Sequence, residues 1–503
     1  MKVALISLYA DIQSVGVRLL SACLKQAGHQ TVRVFLWCPT NVGKNGFDFL
    51  RSAQRDAMVA ELARLLSDTD LIGISLMSEH VFRARFLTAE LRQHLSAPII
   101  WGGVHPTIRP EECLQYADMV CVGEGEHALP ELARRLEQGE RHPEVPGIWH
   151  RLGHTTVSSA PWPLVQNLDD LPAPDYEVPE AYVLDEDQIK PLTPELVQKY
   201  MQLELYDLPG DATYGIVSSR GCPYNCTFCS TSYFRRLHGA AYKVRLRSID
   251  SVVAELAWAK KAFPWITGVR FHDDTFMART EEDLTTFSER YPSMVGLPFA
   301  CYAHPVDVRE KKLALLCDAG MRKLGMGIQT GSQRLQKLYK RRTPNERILD
   351  AATMLHRFEK QLMPPWFDVI VDEFNGTEDD AIETFALLDR LPQPCTLHVY
   401  SMVLWPGTEL YERARERGSI TDDEEQVYRA SYNVLRPNYL AFVYYCYKHR
   451  HLVPRALRRF LSQRRVVHAL NSPRLEKVFS ALLGFLRTAR HGFLPAPSHQ
   501  VNQ

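Results

Sequence analysis

Three cysteines stand close together in Ser219-Arg220-Gly221-Cys222-Pro223-Tyr224-Asn225-Cys226-Thr227-Phe228-Cys229-Ser230. Three thiolates within eight residues can hold three irons of a [4Fe–4S] cube and leave the fourth iron open. An open iron can chelate an amine and a carboxylate presented together, as in S-adenosylmethionine. One electron passed into the sulfonium then breaks a carbon–sulfur bond and yields a 5′-deoxyadenosyl radical. Gly221, Pro223 and Asn225 are turn formers that let one short loop wrap a compact group. The competing reading is a zinc ion with His238 as fourth ligand. Zinc modules usually carry two Cys-x-x-Cys pairs or a nearby His pair, and neither is here, so the spacing favours iron–sulfur. The other eight cysteines, Cys23, Cys38, Cys113, Cys121, Cys301, Cys317, Cys395 and Cys446, are scattered.

The loop follows a strand-like stretch, Tyr214–Ser218, which puts the cysteines at a strand's carboxyl end. Five more strands are expected at Gly268–Phe271, Pro298–Ala303, Lys323–Ile328, Phe367–Val371 and Leu397–Leu404, each followed by helical periodicity. Six strand–helix units over residues 212–420 suit a partial parallel (β/α)6 barrel, whose chemistry collects at carboxyl strand ends. Those ends carry His272-Asp273-Asp274, Gln329-Thr330, Asp372-Glu373-Phe374-Asn375-Gly376-Thr377 and Trp405-Pro406-Gly407-Thr408. Asp273 and Asp274 read equally well as helix N-caps.

Residues 1–145 alternate strand and helix in the α/β manner of a Rossmann-like parallel sheet: Val3–Leu8, Val15–Ala27, Thr31–Trp37, Ala53–Leu66, Leu71–Leu76, Phe82–Leu95, Ile99–Trp101, Met119–Val122 and Leu129–Leu136. Its strand ends read Ser75, Gly102-Gly103-Val104-His105 and Gly123-Glu124-Gly125. Glycine there permits close approach to a bulky ligand, although a tight turn demands glycine too. A lone loop histidine such as His105 is more often a hydrogen-bonding residue than a ligand.

The cysteine loop resembles that of radical S-adenosylmethionine enzymes: Cys-x3-Cys-x-aromatic-Cys is matched in full, with Phe228 as the aromatic. Gly102-Gly103-Val104-His105-Pro106-Thr107 followed by Gly123-Glu124-Gly125-Glu126 is similar to the subfamily with an N-terminal cobalamin-binding domain. The resemblance implies three cofactors: a [4Fe–4S] cluster on Cys222, Cys226 and Cys229, S-adenosylmethionine, and cobalamin. It assigns S-adenosylmethionine contacts to Phe228, Asp273, Asp274, Gln329 and Thr330. Cobalamin contacts fall to Ser75, Gly102, Gly103, His105, Gly123, Glu124 and Gly125. The chain lacks an Asp-x-His-x-x-Gly loop, so His105 is not assigned as an axial ligand. Gln329-Thr330 replaces the family's Gly-Ile-Glu-Ser-Gly centre, and Asp372–Thr377 replaces Gly-Leu-Pro-Gly-Glu-Thr.

The implied activity is methyl transfer to an unactivated carbon of a small-molecule, lipid or natural-product substrate, with an external flavodoxin- or ferredoxin-type reductant. Ring closure or rearrangement in pigment or lipid biosynthesis is the alternative enzyme reading, and a non-catalytic cobalamin or cluster sensor the alternative outside catalysis.

Two regions flank this chemistry. Residues 146–211 are Pro- and Asp-rich, with twelve acids against two bases between 169 and 211, and read as a linker with a solvated acidic face. In the C-terminal region, 421–503, Arg436–Arg490 holds twelve Lys/Arg and one acid. Amphipathic helices are expected there at Val453–Val467 and Leu475–Ala489. This tail can dock on the acidic linker, lie on anionic lipid, or grip a phosphate-bearing partner. Across all 503 residues, 59 Lys+Arg balance 59 Asp+Glu, which excludes a polyanion-coating role, and no nucleic-acid partner is expected. The apolar start is too short for a signal peptide, and no run reaches the 18 residues of a membrane span. With its unpaired cysteines, the chain is expected to be cytoplasmic, with membrane-surface contact open to the tail.

Overall fold

The computed structural model describes the chain except residues 10, 38–45, 154, 203–207, 209–211 and 494–503, and gives only the backbone of 485–493. Cys38 and the acids Glu204, Asp207 and Asp211 lie outside the described residues. The N-terminal apolar run forms β1 (Lys2–Ser7), buried on both faces after its first residue. Such continuous burial is what a central parallel strand requires. It is flanked by β2 (Gln30–Phe35) and β3 (Leu71–Ser75), and the sheet continues through β4 (Ile99–Gly102) and β5 (Met119–Cys121). Helices Val15–Gln26, Ser52–Leu65, Val81–His94 and Gly125–Glu137 connect and cover them. All five strands run parallel, so their carboxyl ends open on one side.

The expected linker is instead part of this sheet. Antiparallel β6 (Ile148–Leu152) and β7 (Thr155–Val157) extend it beyond β5. On the other side β8 (Ala181–Asp185) adds in parallel to β2 and β9 (Gln188–Pro191) folds back on β8, giving nine strands in the order β7-β6-β5-β4-β3-β1-β2-β8-β9. Nor is the acidic stretch merely solvated. Buried Asp175 accepts from Ser21 Oγ (2.6 Å) and pairs with Arg33 (2.8 Å) and Lys25 (2.9 Å). Buried Asp185 accepts from Lys190, Lys199 and Tyr200. Asp175 thereby ties the segment to β2 and to the first helix, whereas Asp185 fastens parts of the segment to one another.

The second sheet has six neighbouring parallel strands in chain order: β10 (Thr213–Ile216), β13 (Gly268–Phe271), β14 (Phe299–Ala303), β15 (Met321–Gln329), β16 (Trp366–Val371) and β17 (Thr396–Ser401). A two-stranded ribbon, β11 (Ser219–Arg220) with β12 (Arg245–Leu246), brackets the cysteine loop. This is the expected partial barrel, open between β10 and β17. At the open β10 edge, the Gln13 side-chain amide donates to Thr213 O (3.1 Å) and accepts from Gly215 N (2.6 Å).

The tail docks on a barrel helix rather than on the acidic segment. Arg455 and Arg459 pair with Asp389, Arg464 with Asp379, and Asn471 donates to Glu378, all three acids lying on the helix Glu378–Arg390. The expected helix Val453–Val467 is broken into Arg455–Leu461 and Arg464–Leu470, behind an additional helix Tyr439–Lys448. Among the described residues, no helix is long and apolar enough to cross a membrane.

Candidate active site

The carboxyl ends of the parallel strands of both sheets face one another across a cavity of about 490 Å³. Its first wall is Gly73 and Ser75 of β3, Gly102 at the end of β4 and Gly103 after it, and Gly123, Glu124 and Gly125 after β5, with Gly16 at the start of the first helix. Its second wall comes from the barrel: Val217, Gly221, Ser230, Thr231, His272 and Asp274. Both walls carry apolar side chains, among them Leu20, Ile74, Leu129 and Phe234.

The glycines divide into two kinds. Gly103 has φ +104°, and a Cβ there would lie 2.7 Å from Leu76 O, so the turn itself demands glycine. Gly16 and Gly102 have no such constraint. A Cβ on Gly16 would meet nothing within 4 Å, and one on Gly102 nothing nearer than Cys121 Cβ at 3.7 Å. Their missing side chains leave volume in the cavity, and this is the cradle a large flat cofactor needs. The N-terminal wall therefore fits cobalamin.

The two walls are joined by ion pairs. Arg220, just before the cysteines, donates to Glu124 (2.8 Å) and Glu126 (2.5 Å), and Arg245 donates to both Glu124 oxygens (2.8 and 2.9 Å). Burial alone would push the Glu124 carboxyl up. The bonds and charges of Arg245 and Arg220 outweigh it and hold the group at about 2. Glu124 is thus an ionised clamp between the domains as well as cavity lining. Further links are Tyr233 Oη to Thr107 O (3.0 Å) and Tyr428 Oη to Glu112 (2.7 Å).

The cysteine loop is held from several sides. The Cys222 amide donates to Tyr242 Oη (3.2 Å), and Arg235 donates to Cys222 O (2.9 Å). Thr227 donates twice, from its amide to Tyr339 O (3.1 Å) and from its hydroxyl to Leu338 O (3.0 Å). Cys226 is buried, with Arg341 Nη1 at 3.8 Å from its sulfur. Burial pushes the Cys222 thiol up to about 12 and raises Cys229 as well. As free thiols these groups stay protonated near neutrality, so a bound metal must displace the protons. Among the described residues, no three His, Cys, Asp or Glu side chains converge on a single-ion site. A cube takes its thiolates on separate corners, so three cysteines on one loop can serve it without converging on a single point. The three cysteines fit the cluster.

The expected S-adenosylmethionine residues separate. Asp274 lines the large cavity, its carboxyl raised by burial and by neighbouring Asp273. Phe228 and Gln329 line a second cavity of about 270 Å³ with Asp368, Tyr400, Trp405 and Tyr432. Asp273 and Thr330 line neither. Asp273 accepts from Ser218 N (2.7 Å), Ser218 Oγ (2.6 Å) and Ser219 N (3.2 Å), bracing the strand that leads into the cysteines. Thr330 is fully buried, with its hydroxyl 3.1 Å from Thr384 Oγ1. Neither aspartate caps a helix; the following 3-10 turn starts from Thr275.

Of the expected cobalamin residues, only His105 is missing from the lining. It is fully buried, with Nδ1 3.0 Å from Ser78 Oγ and Nε2 3.8 Å from Glu112. Burial, then Arg109 and Arg85, drop its pKa to about 3, so it is a neutral packing residue. In the altered turn after β16, Asp372 (φ +54°) and Asn375 (φ +59°) hold the left-handed conformation at the positions where the resembled family has glycines. Asp and Asn are among the non-glycine residues that best tolerate this region. Sequence reasoning did not assign Gly16, His272 or Arg245 to the site. His272 packs 2.6 Å from where a Gly215 Cβ would sit, and burial lowers its pKa to about 4.

The Radical SAM superfamily model matches residues 216–407, and the B12 binding domain model matches residues 1–133. The chain is similar to "Uncharacterized methyltransferase PH0819" of Pyrococcus horikoshii, at 22% identity over 71% of this chain and 72% of that one. It also resembles cytidylyl-2-hydroxyethylphosphonate methyltransferase of Streptomyces wedmorensis, at 26% identity over 66% of this chain and 63% of that one. Among solved structures, the cobalamin-dependent S-adenosylmethionine radical enzyme OxsB superposes with a TM-score of 0.65 at 16% identity, over 98% of this chain and 72% of that one. That likeness is one of fold. The two domain matches make the chain a radical SAM protein. More particularly, the B12-binding domain ahead of the barrel makes it a cobalamin-dependent radical SAM enzyme, with a [4Fe–4S] cluster, S-adenosylmethionine and cobalamin as its cofactors.

Proposed function

We propose that the enzyme transfers a methyl group to an unactivated carbon of a small-molecule substrate. The observation that carries this reading is the single chamber lined on one side by the unconstrained Gly16 and Gly102 and on the other by Gly221 and Ser230, which bracket the three cysteines. When bound, the cluster with S-adenosylmethionine supplies a hydrogen-abstracting radical, and cobalamin supplies the methyl carrier. The chain's own residues do the rest. Cys222, Cys226 and Cys229 would ligate the cluster, and Gly16 and Gly102 would leave the room that seats the corrin. Phe228, Asp274 and Gln329 would contact S-adenosylmethionine on either side of the loop, whereas Asp273 and Thr330 would act as braces behind it. The apolar walls limit water around the reacting groups, and the Glu124–Arg220–Arg245 clamp fixes the spacing between the two halves.

The test is anaerobic reconstitution with iron, sulfide and hydroxocobalamin, followed by turnover with methyl-deuterated S-adenosylmethionine and candidate substrates. About four irons and one cobalt per chain, 5′-deoxyadenosine, and a product carrying the labelled methyl are expected. 5′-Deoxyadenosine with a dehydrogenated or cyclised product and no label would replace this reading with the ring-closing one. Peripheral membrane contact, for its part, would have to use exposed Leu457 and Phe460, which lie one turn apart on a tail helix. Vesicle co-sedimentation tests it, and retention in the supernatant would dismiss it.

A further inference from the structure

Each radical-forming cleavage consumes one electron, which must reach the cysteine loop from outside. The loop meets solvent at Pro223 and Asn225, which are exposed between the cysteines. The segment packed against it is 337–347, whose Leu338 and Tyr339 carbonyls accept from Thr227. This segment carries Lys337, Lys340, Arg341, Arg342 and Arg347 against one acid, Glu346, in a chain whose net charge is zero. Glu346 is itself paired with Arg390 (3.0 Å). Lys340 is neutralised by Glu409 (2.6 Å), and Arg341 turns inward to Cys226. Arg347 donates to the carbonyls of Val306 (3.1 Å) and Val308 (2.6 Å), contacts that leave its charge uncompensated. Val306 is 38% exposed and provides an apolar contact beside this charge. Two residues before Val306, His304 stacks on Tyr224 of the cysteine loop, with ring centroids 3.7 Å apart. Lys337 and Arg342 are exposed. Lys340 and Arg342 also hold positive φ (+54° and +45°), a conformation non-glycine residues adopt only when the surroundings impose it.

We propose that Lys337, Arg342 and Arg347, beside exposed Pro223 and Asn225, form the docking surface for an acidic one-electron carrier protein of the flavodoxin type. Complementary charge steers such a partner and orients its redox group, while the exposed Val306 gives the encounter an apolar centre. The transfer balances simply: the donor flavin hydroquinone loses one electron and becomes the semiquinone, the oxidised cluster gains that electron, and no heavy atom moves. This inference rests on the radical S-adenosylmethionine reading of the cysteine loop.

The experiment compares the reconstituted holoenzyme with a Lys337→Glu/Arg342→Glu variant, neither residue being part of the cavity lining. S-Adenosylmethionine cleavage is driven in parallel by dithionite and by reduced flavodoxin, and flavodoxin association is measured separately by titration at low and high salt. The expected result is unchanged dithionite-driven cleavage, a flavodoxin-driven rate reduced by about tenfold or more, and weaker, less salt-sensitive association. Equal flavodoxin-driven rates in the two proteins would overturn the assignment. So would an equal fall with both reductants, which would place the damage in the site rather than at the dock. Absence of cleavage by the unaltered enzyme with dithionite would instead refute the cysteine-loop reading itself.

Discussion

The two walls of the central cavity are built in opposite ways. Both stand at the carboxyl ends of parallel strands, yet the N-terminal wall makes its site by leaving side chains out, at Gly16 and Gly102. The barrel side makes its site by putting reactive side chains in, at Cys222, Cys226 and Cys229, on a loop whose ends Gly221 and Ser230 line the cavity. A large cofactor bound through shape needs room and close backbone approach. An iron–sulfur cluster bound through bonds needs donors at fixed intervals. The same architecture therefore yields one site that is specified by volume and another that is specified by chemistry.

Substitutions can break this comparison at either wall. The largest effect is expected from Cys222→Ala/Cys226→Ala/Cys229→Ala, which should reduce bound iron to background and abolish 5′-deoxyadenosine formation while cobalamin binding persists; iron retained near the unaltered level would refute the donor assignment. At the other wall, Gly16→Leu/Gly102→Val should lower cobalt content by about tenfold with iron unchanged. Because neither position is strained or crowded, unfolding stability should move by no more than about 0.5 kcal/mol. Gly103→Ala supplies the contrast, since its positive φ and the nearby Leu76 carbonyl predict a loss of about 1–3 kcal/mol whether or not cobalamin is present.

The clamp between the walls should respond to acid. The Glu124 pKa is depressed from an ordinary 4.5 to about 2, so its stabilisation is complete above pH 4.5 and is lost as pH falls from there towards 2. A shift of that size corresponds to about 3 kcal/mol. Denaturant titrations of the protein and of Glu124→Gln should therefore differ most above pH 5 and converge at the acid end; parallel curves would remove Glu124 from the clamp. The smallest effect belongs to the tail. Asp389→Asn removes pairs with two mostly exposed arginines, and a stability loss of about 1 kcal/mol or less is expected by the same measurement.

The chemistry-built wall was legible in the sequence because ligand type and spacing are written locally, in one loop. The barrel strands were equally legible: Gly268–Phe271 falls where its apolar run puts it, and the other five differ by a few residues at their ends. β6 to β9 were not. They are short, they lie at or near the sheet's edges, and their exposed or polar positions (Arg151, Leu152, Thr155, Thr156, Gln188) interrupt the apolar pattern that marks a central strand. The volume-built wall was legible only in part, because a glycine required by a turn and a glycine required by a ligand are the same letter. Gly103 and Gly102 are adjacent, and only their φ values and neighbours tell them apart. The Glu124 clamp joins residues 96 and 121 positions apart, a relation no local pattern can carry. His105 looked like site chemistry because it sits in the glycine turn, but its ring is buried behind the wall.

The Gln13 amide at the edge of β10 has a consequence for how the chain can be divided. By donating to Thr213 O and accepting from Gly215 N, it imitates the peptide group of a neighbouring strand and occupies hydrogen-bonding sites that an unfinished barrel would otherwise offer to any passing chain. The N-terminal domain thus covers part of the barrel's seam. A barrel expressed alone would bring its cysteines with it, but also an adhesive border, and its self-association would be relieved by returning a single glutamine-bearing loop.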